Sequence, residues 1–246
     1  MRVAAISDIH GNTAALDAVL EDISAEGVDQ IVNLGDCFSG PMDAAGTAER
    51  LAQLDLMTVQ GNHDRFLVDR PKSEMGQWEA WVIDDLPPAT LAWCRTLPLT
   101  LQNDGVFLCH ATPGADDENW LDYRGPDSRL IARDLSDVEK RAGDVAAEIL
   151  LCGHTHMPRS VRLPDGRRIV NVGSVGCPAY LDTRMEPNFI QQTGAPDARY
   201  AILTKRRGDW IVNLRSVPYD ASDMIRLAEE KGALSWAQAL RTAWFA

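Results

Sequence analysis

No apolar run in the chain approaches the roughly 20 residues needed to cross a bilayer, so nothing in the sequence reads as a transmembrane helix. The opening MRVAAISD lacks a long apolar stretch with a small-residue cleavage site, and no signal peptide is expected. Cysteine is scarce. Cys37, Cys94, Cys109, Cys152 and Cys177 are scattered, odd in number and form no C-x-x-C pair. That argues against a disulfide framework or a structural zinc site and fits a reducing, cytoplasmic setting. Basic residues are also few, 24 against 36 acidic, for a formal charge of −12. Such a surface repels nucleic-acid phosphates at long range, and no basic stripe with interleaved aromatics is present to track a strand. Nucleic acid is therefore a disfavoured partner, and no membrane contact is expected. Repeats and low-complexity linkers are missing as well, so the 246 residues, 45% apolar, are expected to form one domain spanning 1–246.

What the sequence does contain is an alternation of short β-like runs with helical ones. RVAAIS reads as a strand; from Asn12 the period changes, with Leu16, Val19, Leu20 and Ile23 at helical spacing and Gly27 closing the helix. Asn12 reads as the cap of that helix. QIVNLGD, a helix over Met42–Leu54, and LMTVQGN follow, a β-α-β-α-β order that implies parallel pairing. Further strands are expected at VFLCHA, EILLCGHTH and RIVNVGS, with a helix near 127–147. RYAILTK and WIVNLRSV flank the turn RRGD as an antiparallel hairpin, and two helices, near 221–231 and 235–244, end the chain. The expected class is α/β, with a parallel first half and an antiparallel second half. Cys109 and Cys152, inside apolar runs, read as small buried hydrophobes.

Histidine is rare, and its placement is informative. His10, His63, His110, His154 and His156 all stand just past expected strand ends, as do Asp8, Asp36 and Asn62. Ligands of open α/β sheets gather at such ends. One histidine there is an ordinary polar residue bonded to a carbonyl; five of five point to one site. Residues two apart on a strand face the same way, so Asp8 with His10, and His154 with His156, could each reach one ion. Imidazole, carboxylate and amide ligands without thiolate suit manganese, iron, zinc, nickel or cobalt. Seven ligands exceed what one such ion with an open position needs, and suit two.

These residues carry a family resemblance. D-x-H at 8–10, G-D at 35–36, G-N-H-D at 61–64, the lone His110 and G-H-T-H at 153–156 resemble the calcineurin-like metallophosphoesterases, in that family's order. NVGSVGCP at 171–178 is similar to the NPGS strand that follows G-H-T-H in many members. The resemblance implies two packed mixed β-sheets flanked by helices. It assigns Asp8, His10 and His156 to one metal and Asn62, His110 and His154 to the other, with Asp36 bridging. His63 is then catalytic, protonating the leaving oxygen or stabilising the transition state, and Asp64 orients. The implied reaction is metal-dependent hydrolysis of a small phosphodiester or phosphomonoester by in-line attack of a metal-bridging hydroxide, with manganese the foremost metal. Two dications, two carboxylates and a hydroxide sum to about +1, which would draw a phosphoester into an acidic protein.

Departures from the family narrow the substrate. Protein phosphatases of the family carry GDxxDRG and GNHE; here GDCFSGP and GNHD stand instead, so a phosphoprotein is not the expected substrate. The segments 65–85, with Arg65, Trp78 and Trp81, and 179–198, long and aperiodic, are candidates for shaping the substrate site, or else for ordinary packing. Two further readings stand beside the first: a hydrolase of nucleotide phosphoanhydrides such as dinucleoside polyphosphates, and a scaffold that binds metal without turnover. WAQALRTAWFA at the end of the sequence offers apolar surface for docking on its own domain or on a partner, and the oligomeric state is open.

Overall fold

The expected β-α-β-α-β start is realised as β1 (Arg2–Ile6), α1 (Thr13–Glu26), β2 (Gln30–Asn33), α2 (Ala44–Leu51) and β3 (Met57–Thr58). These belong to a computed structural model that describes residues 1–183 and 188–245. Next come α3 (Asn62–Asp69), α4 (Gln77–Ala80), α5 (Pro88–Cys94), β4 (Thr100–Asn103) and β5 (Val106–Cys109). A ribbon of β6 (Asp122–Arg124) and β7 (Leu130–Ala132) precedes α6 (Leu135–Ala142), β8 (Ile149–Cys152), β9 (Arg159–Arg162) and β10 (Arg168–Asn171). A second ribbon, β11 (Ala179–Asp182) with β12 (Phe189–Gln192), leads to β13 (Ala198–Arg206), β14 (Asp209–Val217), α7 (Ser222–Glu230) and α8 (Leu234–Thr242).

Two five-stranded mixed sheets result, ordered β14-β13-β1-β2-β3 and β4-β5-β8-β10-β9. In each, three adjacent strands run parallel; β13 lies antiparallel beside β1 in the first sheet, and β4 and β9 lie antiparallel on either side of the trio in the second. Period-two alternation divides the side chains between two faces. Val3 and Ala5 of β1, Val106 and Leu108 of β5, and Ile149 and Leu151 of β8 meet between the sheets. The opposite face of β1, through Ala4 and Ile6, packs on Leu16, Val19 and Ile23 of α1. The opposite faces of β5 and β8 place Phe107, Cys109, Leu150 and Cys152 against Val138 and Ala142 of α6. Both cysteines are thus small core residues, and all five in the chain are free.

Local signals explain the helix ends. Asn12 Oδ1 accepts from Ala15 N at 3.0 Å and caps α1, which stops at Gly27 in the left-handed conformation. The C-terminal helix docks on its own chain: Trp236, Ala237 and Leu240 are buried beside Met42 and Cys177.

Several expectations are corrected. The second half is not simply antiparallel, since β8 and β10 run parallel to β5 within one sheet. The helix expected near 127–147 is only Leu135–Ala142, because the residues before it pair as β6 and β7. Segment 179–198 is not an irregular loop where described; β11 and β12 pair within it, while 184–187 lie outside the described residues. Residues 65–85 begin inside a helix that starts at Asn62. Among the described residues, no helix is long and apolar enough to cross a membrane.

Leu151 is fully buried between the sheets, whereas Leu234 is 67% exposed. Leu151→Ala is expected to cost about 2–5 kcal/mol in urea unfolding and Leu234→Ala under about 0.5 kcal/mol. Similar losses for both would contradict the placement of the core between the sheets.

Candidate metal centre

Asp8 and His10 follow β1, Asp36 follows β2, Asn62 and His63 open α3, His110 follows β5, and His154 and His156 follow β8. The exits of parallel strands from both sheets therefore converge on one place. The local geometry differs from the strand alternation expected. β1 ends at Ile6, and Asp8, His10, Asp36, His154 and His156 all have positive φ, between 51° and 65°. Left-handed backbone is uncommon for residues other than glycine and collects where function requires a direction that a strand cannot supply. Here it turns successive side chains inward, off the strand ends. Close backbone approach joins the two sheets at the same spot: a Cβ on Gly153 would stand 2.0 Å from Ser7 Oγ and 2.3 Å from Asp8 Oδ2.

All seven expected ligands are brought together. His156 Nε2 lies 3.2 Å from His10 Nε2 and 3.2 Å from Asp8 Oδ1. His110 Nε2 is 3.1 Å from Asp36 Oδ2 and 3.9 Å from Asp8 Oδ1. The Asn62 amide is 3.0 Å from His154 Nδ1 and 3.2 Å from His110 Nε2. Among the described residues two groups have the compactness of a metal site, Asp8-His10-His156 and Asp8-Asp36-His110, and Asp8 is common to both.

The arrangement fits divalent ions. Donor atoms at right angles about an ion with bonds of about 2.0–2.2 Å stand about 3 Å apart, which matches the 3.0–3.2 Å spacings found here. Asp8 Oδ1, fully buried, has no partner nearer than His156 Nε2 at 3.2 Å, an arrangement that costs free energy unless positive charge compensates. Asn62 Oδ1 lies 3.0 Å from His154 Nδ1, with His110 Nε2 and Asp116 O at the same end of the amide, a grouping of donor atoms that a cation among them would join. The rings are also held from behind. Nδ1 of His10 meets Ser39 O at 3.1 Å, Nδ1 of His110 meets Leu34 O at 2.7 Å, and Nδ1 of His156 meets Cys177 O at 2.9 Å. With Nδ1 donating to a carbonyl, Nε2 carries the lone pair toward the centre.

Burial pushes His10 and His154 down to about 3, so both are neutral at pH 7. His110 and His156 go the other way. Burial opposes their charge, but Asp36 beside His110 outweighs it and raises that imidazole to about 10, and Asp8 likewise raises His156 well above the usual range. Asp8, for which burial works against ionisation, is nonetheless brought down to about 2 by His156. In the metal-free chain, protons on two imidazoles therefore balance two buried carboxylates.

Asp64 has the orienting position expected of it, accepting from the backbone N–H groups of Asp36 (2.7 Å), Cys37 (2.9 Å) and Gly61 (3.2 Å). It clamps the Asp36 turn to the start of α3. Arg65 is not aimed at the centre; it forms a two-pronged pair with Asp116 at 2.6 and 2.7 Å. Trp78 stacks on His63 at 4.9 Å, whereas Trp81 packs in the core. Sequence reasoning missed Glu79, which is buried and hydrogen-bonded to His63 Nδ1, and Ser39, whose hydroxyl lies 3.0 Å from His10 Nδ1. No spacing rule marks either residue, since each acts through a partner far along the chain. A cleft of about 680 Å³ opens over the centre, bounded by Asp36, Asn62, His63, His154 and His156 on one side and by Tyr123, Tyr180 and Phe189 of the ribbons on the other.

Comparison with known proteins agrees with this picture. A profile of the calcineurin-like phosphoesterase superfamily domain matches residues 1–187. A solved metallophosphoesterase from Sphaerobacter thermophilus is 25% identical with a TM-score of 0.75, covering 99% of this chain and 100% of that one. An uncharacterized protein of Methanocaldococcus jannaschii is 28% identical over 244 residues, 93% of this chain and 90% of its own length. A putative diadenosine tetraphosphatase, 19% identical with a TM-score of 0.52 over 87% of this chain and 93% of its own, shares the fold.

Because His110 and His156 hold protons in the metal-free chain, metal must displace them. Titration of metal-free protein with Mn²⁺ at about pH 7 is expected to release protons, so the calorimetric heat should change with the buffer's ionisation enthalpy. Affinity should rise from about pH 6 to about pH 8 as that competition weakens. Heats independent of buffer would contradict this assignment.

Proposed function

The chain belongs to the calcineurin-like phosphoesterase superfamily, and on that premise we propose that it is a dinuclear metal-dependent phosphoesterase acting on a small phosphodiester or phosphomonoester. The observation that carries the reading is the pair of compact ligand groups, Asp8-His10-His156 and Asp8-Asp36-His110, which share Asp8 and hold Asp36 between the imidazoles, beneath an open cleft. In this reading Asp8, His10 and His156 hold one ion, Asn62, His110 and His154 hold the other, and Asp36 reaches both. When bound, two divalent ions, manganese foremost, supply the activated water and the positive charge that phosphoester hydrolysis requires.

The chain's own residues supply the rest. Asp36 Oδ1 accepts from the backbone N–H of His63 at 2.8 Å, which ties the imidazole's position to the ligand cluster. The His63 side chain is 11% exposed and lines the cleft, so it can reach a substrate from beside the metal ligands. Its role is to pass a proton to the oxygen of the departing group, the step that limits hydrolysis of esters with basic leaving groups. Trp78 and Phe66 wall the ring and keep water from its faces. Five free, buried cysteines support a cytoplasmic setting.

A second reading is favoured by the cleft itself. At about 680 Å³ it exceeds a phosphate, and it offers Trp78, Tyr123, Tyr180 and Phe189 as aromatic surfaces, with Arg124, Arg133 and Arg141 standing among Asp117, Glu118 and Asp182 in the same lining, Arg133 paired with Asp137 and Arg141 with Glu118. A nucleotide phosphoanhydride such as a dinucleoside polyphosphate presents both the rings and the extra charge that these walls would receive.

With Mn²⁺ restored, turnover of p-nitrophenyl phosphate and bis(p-nitrophenyl) phosphate is the direct test. On phenyl phosphate, whose departing oxygen is more basic, His63→Ala should lower kcat by about 10²–10⁴ while retaining both metals, and Asp36→Asn should lose metal and activity together. Metal-dependent turnover of phenyl phosphate that survives His63→Ala unchanged would exclude the acid role. Turnover of dinucleoside polyphosphates alone would select the second reading.

A further inference from the structure

The strongest unexplained feature beside the centre is a carboxylate. Glutamate is almost never fully buried unless it is paired, yet Glu79 is 2% exposed. Its Oε1 makes a short contact with His63 Nδ1. It is carried by α4, a helix of only four residues, whose Trp78 stacks flat on the same imidazole at 4.9 Å and 15°. This short helix is itself pinned, since the Trp78 carbonyl accepts from Gly40 N at 3.0 Å. Gly76, just before the helix, leaves the space the carboxylate occupies; a Cβ there would stand 2.8 Å from Glu79 Oε2. One segment thus fixes the His63 ring by its face and by its edge.

We infer that Glu79 is a positioning residue for catalysis: it accepts the hydrogen bond from His63 Nδ1, holds the ring plane, and leaves Nε2 as the nitrogen that serves the substrate. The inference rests on the proposed phosphoesterase role of His63. An imidazole free to rotate about its side-chain bonds spends little time aligned with a leaving oxygen, and misalignment by about 1 Å can cost about 10²-fold. A carboxylate behind an imidazole fixes its tautomer and orientation without itself taking the proton. An ion pair that merely staples α4 to α3 predicts a loss of stability but no change in which esters are hydrolysed. Positioning predicts that the loss depends on the leaving group, because a poorer leaving group needs its proton more.

The test uses the full-length, Mn²⁺-loaded chain, with phenyl phosphate as the poor leaving group and p-nitrophenyl phosphate as the good one. Glu79→Gln should lower kcat on phenyl phosphate by about 10–100-fold, with a clearly smaller loss on p-nitrophenyl phosphate and little change in KM or metal content. His63→Ala/Glu79→Gln should be no slower than His63→Ala. Equal losses on both esters, or a double variant that loses more than His63→Ala, would overturn the positioning role while leaving the phosphoesterase reading intact. Absence of metal-dependent turnover in the unaltered chain on these monoesters and on bis(p-nitrophenyl) phosphate alike overturns both. Should the variants not fold, imidazole nitrogen NMR of the zinc-loaded unaltered protein decides: a protonated Nδ1 on His63 supports the inference, and a bare Nδ1 overturns it.

Discussion

Asp8 and Asp36 are two carboxylates buried side by side where two sheets meet, and much of the surrounding structure compensates their charge. Removing such groups from water costs several kcal/mol each unless opposite charge is near. Without metal the compensation is protonic, through His110 and His156. The arrangement around them suits a stronger partner, because the nearest charge to the buried Asp8 Oδ1 is a single imidazole nitrogen, His156 Nε2 at 3.2 Å. The left-handed backbone at five of the site residues is a further cost carried in the same place. Such a site is an expensive part of the fold, and metal binding is what makes that expense intelligible.

The fold is organised so that this cost is affordable. Three parallel strands in each sheet deliver their exits to one end, and the apolar layer between the sheets runs directly beneath. Asp64 joins the Asp36 turn to α3 through three backbone hydrogen bonds. Asn12, by capping α1 while its amide donates to Gly176 O at 3.0 Å and Tyr219 Oη at 2.9 Å, fastens the loop that carries His10 to the later part of the chain. The rigid half of the cleft is therefore the metal side. The opposite wall is made of two-stranded ribbons that, among the described residues, are joined by a bridge between Arg129 and Ile190.

How much of this was legible in the sequence follows from that division. That these residues cluster was legible because they are chemically rare and stand at strand ends, where Asp8, His10, His154 and His156 have no folding role to confuse them with. The reason given for their convergence was incomplete: alternation along a strand does not aim them, positive φ does. β4 and β9 were missed because edge strands of four residues with polar side chains carry no apolar signal. Ribbon β11–β12 was missed because its pairing depends on tertiary context rather than on a turn motif. Glu79 could not be found from spacing at all, since a glutamate sixteen residues from His63 looks like any other helix residue until α4 folds back over the ring.

The functional reading requires that this cluster of imidazoles and carboxylates hold two ions. Anomalous diffraction at the manganese edge from crystals grown with Mn²⁺ tests it most directly. Two peaks are predicted, one enclosed by Asp8, His10 and His156 and one by Asn62, His110 and His154, with Asp36 in contact with both. A single peak at Asp8, or none within the cluster, would contradict the dinuclear centre on which the functional reading is built.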